Sequence, residues 1–243
     1  MIACGFSPSG DGSGGDGGGA DGSGATDGGD GDAGPERPFC DRDEPLLRLC
    51  VTFQDGGVID SSASGVPFTV EDLGFGPGIV DDAVQLTPTS VIHGDEHLGL
   101  DLTTALTMEA FVNVASSPSP APRAGIIDNN NQYGMWVSAN MRPYCTVGST
   151  TVSGPTIADG TWTHVACVFD NLTYRIFVDG ALFGTVNRQV PAPITGVDGT
   201  NLGQDCTAGG SGDPLTGRLD EVRIWASARS AEQIAAAAAR RGG

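Results

Sequence analysis

From Leu46 onward the chain runs in short stretches of alternating apolar and polar residues, and Gly, Pro, Asn or Asp interrupts them every roughly 8 to 15 residues. A helix needs apolar positions at a period near 3.6 over ten or more residues, whereas a strand needs a period of two over four to eight. Only the second fits. Strands are expected at 47–53, 83–87, 106–114, 125–128, 133–137, 142–147, 161–169, 174–178, 181–185, 200–202 and 217–225. So many short strands with frequent turns imply an all-β chain folded as a two-sheet antiparallel sandwich.

Strand 161–169 alternates Trp162, His164, Ala166 and Val168 on one face with Thr163, Val165, Cys167 and Phe169 on the other. Both faces are largely apolar, so both should be covered, the outer one by loops or a further sheet. Asp179-Gly180 has the chemistry of a two-residue hairpin turn. One short C-terminal helix is expected after Ser230: its hydroxyl can cap the first turn, Glu232 and Gln233 suit a helix start, and alanines fill 235–239. Because so short a helix is marginal alone, Ile234 is expected to pack on the sandwich edge.

The N-terminal region is of another kind. Between Gly10 and Gly34 every residue is Gly, Asp, Ala, Ser or Thr. Nothing there can bury enough apolar area to offset the entropy of ordering. Residues 1–39 therefore read as a linker, a coil of about 30 Å end to end that its aspartates extend further, and residues 40–243 as the folded domain. The string Met1-Ile-Ala-Cys4-Gly5 resembles the end of a bacterial lipoprotein signal with its lipidated cysteine, but lacks the basic and apolar regions that precede one. A lipid at Cys4 followed by a solvated tether implies a bacterial surface or outer-membrane lipoprotein, or else a secreted protein; the membrane would be touched only through that anchor.

Charge narrows the partners. The formal net charge is −18 and Arg is the only basic type, so no basic face exists to neutralise phosphates and nucleic acid is excluded as a ligand. No run of 18 apolar residues is present to span a bilayer. The six cysteines form no C-x-x-C pair and have no His at zinc-finger spacing, which favours disulfides in an oxidising compartment. Cys145 and Cys167, on consecutive strands read as antiparallel neighbours, are one expected pair. Cys40 and Cys50 would close a short loop at the domain entry, although either could instead pair with Cys206.

Three segments, in this order and at these separations, resemble the laminin G-like family of concanavalin A-like jelly rolls. They are Asp159-Gly-Thr-Trp-Thr-His-Val-Ala-Cys-Val-Phe-Asp170, Tyr174-Arg-Ile-Phe-Val-Asp-Gly180, and Gly217-Arg-Leu-Asp-Glu-Val-Arg-Ile-Trp225 with Ser230-Ala-Glu-Gln-Ile234. The resemblance covers about 46–240 and implies a jelly-roll sandwich used for binding or adhesion. It extends remotely to the pentraxins, in which calcium at one face mediates ligand binding. By that comparison Asp128, Asn130 and Asn131 stand where an Asp-Asn calcium pair is placed, and Gly203-Gln204-Asp205 opens the loop that carries further ligands. Asp213, on the same loop, is a further metal candidate. Calcium needs six to eight oxygens, which such residues can supply; Asp and Asn are equally ordinary turn residues.

Catalytic motifs do not survive inspection. Asp220-Glu221 are adjacent on a strand and so point to opposite faces, whereas glycoside hydrolysis needs convergent carboxyls. Asp220 is read as a structural hydrogen-bonding group, Glu221 as solvated or paired with an Arg. His93-Gly-Asp-Glu-His97 matches H-x-x-E-H, but Gly94 and the flanking Val91-Ile92 and Leu98-Gly99 argue for a turn between extended pieces rather than the helix that zinc chemistry needs. Trp136, Trp162 and Trp225 fall inside strands and are read as buried, while Tyr133 and Tyr144, at loop borders, and Gln204 are the candidate ligand contacts. The expected function is non-catalytic recognition of an external glycan or protein, with calcium assistance. A structural envelope-assembly module is the alternative, and a polysaccharide hydrolase is a remote third.

Overall fold

The computed structural model describes residues 39–115, 122–129, 132–187, 199–207 and 210–240. The strands in chain order are β1 (Leu47–Val51), β2 (Phe68–Glu71), β3 (Gly74–Pro77), β4 (Asp82–Leu86), β5 (Val91–Gly94), β6 (Leu106–Val114), β7 (Arg123–Asn129), β8 (Tyr133–Ser138) and β9 (Pro143–Val147). There follow β10 (Thr150–Ser153), β11 (Trp162–Phe169), β12 (Thr173–Val178), β13 (Ala181–Asn187), β14 (Thr200–Leu202), β15 (Asp205–Thr207), β16 (Gly210–Gly212), β17 (Gly217–Trp225) and the helix α1 (Ala231–Ala239). One sheet runs β13-β12-β11-β6-β17-β4-β3, with β1 also on β17; the second runs β10-β9-β8-β7-β14-β5-β2; β15 and β16 form a separate hairpin. Neighbours pair antiparallel throughout. This is the expected sandwich with one C-terminal helix.

The period of two sets what lies between the sheets. Met108, Ala110 and Val112 of β6, Val165, Cys167 and Phe169 of β11 and Ile224 of β17 face Ile127, Met135, Val137 and Cys145 of the second sheet in one continuous core. The disulfides Cys40–Cys50 and Cys145–Cys167 are both formed, with Cα separations of 5.6 and 6.2 Å. The route of the second differs from the expected one: β9 and β11 belong to opposite sheets, so the bond crosses the core instead of joining antiparallel neighbours. Cys4 lies outside the described residues.

The outer face of the first sheet is covered as expected, in part by the loop that enters the domain and for the rest by the helix and not by another sheet. Ala166 and Val168 of β11 and Phe177 of β12 pack against Ile234 of α1, so the helix lies on the sheet face and not at the sandwich edge. Ser230 caps α1 reciprocally with Gln233, the Ser side chain accepting from the Gln backbone N–H and the Gln side chain from that of Ser230. Beside the helix, Leu47, Cys50 and Trp225 form a small cluster with Cys40, which brings the entry of the chain onto the same face. Phe39 is pressed there under the Arg223 guanidinium, 3.8 Å from the ring centroid.

Beneath this cover lies a buried charged group. Glu109 Oε1 accepts from Trp225 Nε1 at 2.8 Å and from Arg229 Nη1 at 2.5 Å, Arg223 Nε stands 3.2 Å from it, and His164 Nε2 lies 3.4 Å from Oε2. The next step along β17 is a bulge. Glu221 takes φ 53°, β4 pairs only with residues 217–219 and β1 only with residues 222–225 of that strand.

Candidate functional site

The outer face of the second sheet is built differently. On β8, Tyr133, Met135 and Val137 turn into the core, which sends Gly134, Trp136 and Ser138 outward. The indole of Trp136 lies flat across Gly134: a Cβ at that glycine would stand 2.2 Å from the Trp136 Cη2 atom. Tyr144, opposite Trp136 on β9, stacks with it at 5.7 Å between centroids and 22° between planes. Arg123, opening β7, places its guanidinium 5.1 Å from the Trp136 centroid.

Arg123 is then fixed from the far side. Its Nη2 donates to Asp205 Oδ2 and its Nε to Asp213 Oδ2. Burial works against the guanidinium charge, but Asp213, Asp205 and the Tyr144 hydroxyl outweigh it and hold its pKa above the usual value. The Tyr144 phenol is pushed up, chiefly by burial, with Arg123 opposing. The segment carrying the two aspartates is rooted on β7: Gly203 N donates to Ile126 O, Gly125 N to Asp213 O, and a Cβ on Gly125 would meet the Gln204 backbone at 2.4 Å. Only glycine admits that approach.

Further along the same face the register aligns His93, Asn201, Asp128 and Gly134 on adjacent strands, with His93 Nδ1 2.9 Å from Asn201 Oδ1. His97 is engaged elsewhere, its Nδ1 accepting from Gly99 N. The two histidines of the H-x-x-E-H string therefore share no helical face. The extended piece expected at 98–99 is a short 3-10 turn, Leu98–Leu100.

The structure thus gathers Tyr144, Asp205 and Asp213 of the residues singled out in the sequence. Gln204 adjoins them by backbone, but its side chain is buried and its Oε1 has no hydrogen-bond partner among the described residues. Asp128 is buried on β7. Tyr133 is a correction: it is 2% exposed, donates its hydroxyl to Leu100 O at 2.7 Å and fills the core, because β8 parity points it inward. Asn130 and Asn131 lie outside the described residues. Arg123 and Trp136 were missed as site residues. Arg123 precedes the expected strand 125–128 and carries no sequence signal of its own, and Trp136, although largely buried as expected, is buried under Arg123 and Tyr144 on the outer face.

Two tests bear on chemistry. For calcium, the carboxylates of Asp205 and Asp213 both bind the Arg123 guanidinium, and among the described residues no three His, Cys, Asp or Glu side chains converge. As a catalytic pair, Asp220 and Glu221 are closed off from solvent, at 0% and 1% exposure. Asp220 accepts from the backbone of Ile79, Val80 and Glu221, the structural role expected of it. Glu221 is not solvated: the bulge turns it into the protein, where neither carboxylate oxygen has a hydrogen-bond partner among the described residues.

A family model described as the concanavalin A-like lectin/glucanases superfamily matches residues 80–235. Comparison with curated proteins returned no match. Among solved structures the chain is similar to domain 4 of AbnA, an extracellular GH43 arabinanase from Geobacillus stearothermophilus, in complex with arabinotriose: TM-score 0.62, 18% identity, 79% of this chain and 98% of that one. It is also similar to the binding domain of botulinum neurotoxin DC in complex with SialylT, at TM-score 0.61 and 12% identity over 80% and 51% of the two chains. The same binding domain in complex with rat synaptotagmin II gives TM-score 0.60 and 11% identity over 79% and 51%. The chain therefore spans about half of the toxin domains and nearly all of the arabinanase domain.

Proposed function

The chain belongs to the concanavalin A-like lectin/glucanase superfamily, and on that premise we propose that it is a non-catalytic binding module recognising an external glycan through the outer face of its second sheet. The observation that carries this reading is the Arg123-centred cluster, in which a stacked Tyr144–Trp136 pair borders two aspartates held in fixed orientation by one guanidinium. An aromatic ring offers a stacking face to a sugar, while ordered carboxylate and guanidinium groups exchange hydrogen bonds with its hydroxyls. Arabinotriose and SialylT are bound by proteins of similar fold. A protein ligand is the second reading, favoured by the synaptotagmin complex of another.

The two disulfides suit an oxidising, extracytoplasmic compartment. If Cys4 carries a lipid, the tether would reach the domain at Phe39, on the outer face of the first sheet, and leave the Arg123 cluster facing away from the membrane. Any calcium contribution would belong to Asp128 with Asn130 and Asn131, since Arg123 occupies Asp205 and Asp213.

The test is a glycan panel probed with residues 36–243, wild type and Tyr144→Ala, in calcium and in chelator. Binding lost in Tyr144→Ala and kept in chelator is expected. A blank panel, or binding indifferent to Tyr144, would overturn the assignment.

A further inference from the structure

The first sheet has an uncovered end, and it is not a bland surface. On β11 the face that carries Ala166 and Val168 under α1 continues through buried His164 to half-buried Trp162. Strand register extends Trp162 into a row: Trp162 lies opposite Asn113 of β6, Asn113 opposite Arg218 of β17, and Arg218 opposite Gln85 of β4. Four strands at about 4.8 Å spacing span roughly 14 Å.

The row is fixed in place. The Arg218 guanidinium lies 5.3 Å from the Trp162 centroid and its Nη1 donates to Pro77 O at 2.8 Å. Asn113 Nδ2 donates to Gly160 O at 2.8 Å. Gln85 is exposed beside Gly74, which raises no side chain above the surface. The charge pattern adds direction. Among the described residues Arg123, Arg175, Arg223 and Arg229 each meet a carboxylate, whereas Arg48, Arg142 and Arg218 meet backbone carbonyls, and of these three only Arg218 also lies over an aromatic ring. In a chain with 30 acidic residues against 12 basic ones, an ordered guanidinium left without an acid keeps its planar fork for one from outside.

We propose that Trp162, Asn113, Arg218 and Gln85 form a second ligand surface, on the first sheet, for an oligosaccharide bearing uronic acid units. Trp162 stacks on a pyranose ring, Arg218 takes the carboxylate and the exposed Gln85 amide meets a hydroxyl, while Asn113, 7% exposed, sits between them and holds the row to Gly160. This surface is independent of the Arg123 cluster on the opposite sheet.

The test is calorimetric titration of residues 36–243 with trigalacturonate and with neutral galactotriose. Trigalacturonate is expected to bind, with galactotriose and Arg218→Gln each roughly tenfold weaker, the size of one charged hydrogen bond. Gln85→Glu, an exposed change that should fold normally and sets a carboxylate beside Arg218, is expected to weaken binding likewise. Tyr144→Ala should leave this titration unchanged. Equal affinity for the two trisaccharides, no binding of trigalacturonate, or indifference to both Arg218→Gln and Gln85→Glu would overturn the proposal; loss through Tyr144→Ala alone would assign uronate binding to the other sheet.

Discussion

Cys145 and Cys167 stand on opposite sheets with their Cα atoms 6.2 Å apart, so the bond between them fastens one layer of the sandwich to the other. It closes a loop of 22 residues, for which chain entropy gives a stabilisation of about 3 kcal/mol. Replacing both by Ala should lower unfolding stability by about that amount in urea titration while leaving Cys40–Cys50 intact. A loss below about 1 kcal/mol would mean that the core alone holds the layers together.

Gly134 and Trp136 are coupled in the same direct way. The indole occupies the space that any side chain at Gly134 would need. Gly134→Ala should displace Trp136, cost about 1 to 3 kcal/mol through overpacking, and abolish ligand binding at the Arg123 cluster. Near-ultraviolet circular dichroism and the glycan panel, run on one preparation, check both halves. An unchanged aromatic signal together with retained binding would show that the flat indole is dispensable.

Much of this architecture was legible, and the failures have physical causes. β6, β14 and β17 appear at the expected bounds, because long alternation or flanking glycines mark them. β3 was missed because Gly74-Phe-Gly-Pro77 is written in breaker residues. β2, β10, β15 and β16 were missed because three- and four-residue strands carry too few alternations to register, and β5 was read only as part of an extended piece. The cysteine pair was legible while its path was not: sequence order suggested adjacent strands, and sheet order placed them across the core. Tyr133 was misplaced by one step of parity at a loop border. Arg123 lay beyond reach because its meaning depends on Asp205 and Asp213, some 80 and 90 positions away.

Glu109 collects Trp225, Arg223 and Arg229 beneath α1. Removing it strands the two guanidinium groups, of which Arg223 is 2% exposed. Glu109→Ala is therefore expected to cost about 3 to 5 kcal/mol, the range for breaking a buried ion pair from one side. Ile234→Ala, which hollows the helix contact next to it, should cost about 2 to 5 kcal/mol. Chemical denaturation measures both. If Glu109→Ala cost less than about 1 kcal/mol, the charges would have to be reaching water through α1.

The pH response follows from two carboxyl groups that move the other way from Glu109. Burial pushes Asp220 up from an ordinary 3.8 to about 7, against the pull of three backbone N–H groups. Burial, with the Asp220 charge beside it, pushes Glu221 up from 4.5 to about 8. The folded protein therefore keeps protons that the unfolded chain releases near pH 4, and stability should fall as pH rises through the range from about 4 to about 8. Glu109 is held well below the carboxylate range, because Arg223, the neighbouring His164 ring and Arg229 outweigh its burial, so its contribution is lost only in strong acid. Thermal midpoints are expected to be highest in mild acid and to decline toward pH 9. Glu221→Gln, which stays neutral, should flatten that decline and be more stable than wild type at pH 8 by about 1 kcal/mol or more. A parallel decline in the variant would place the alkaline loss at some group other than Glu221.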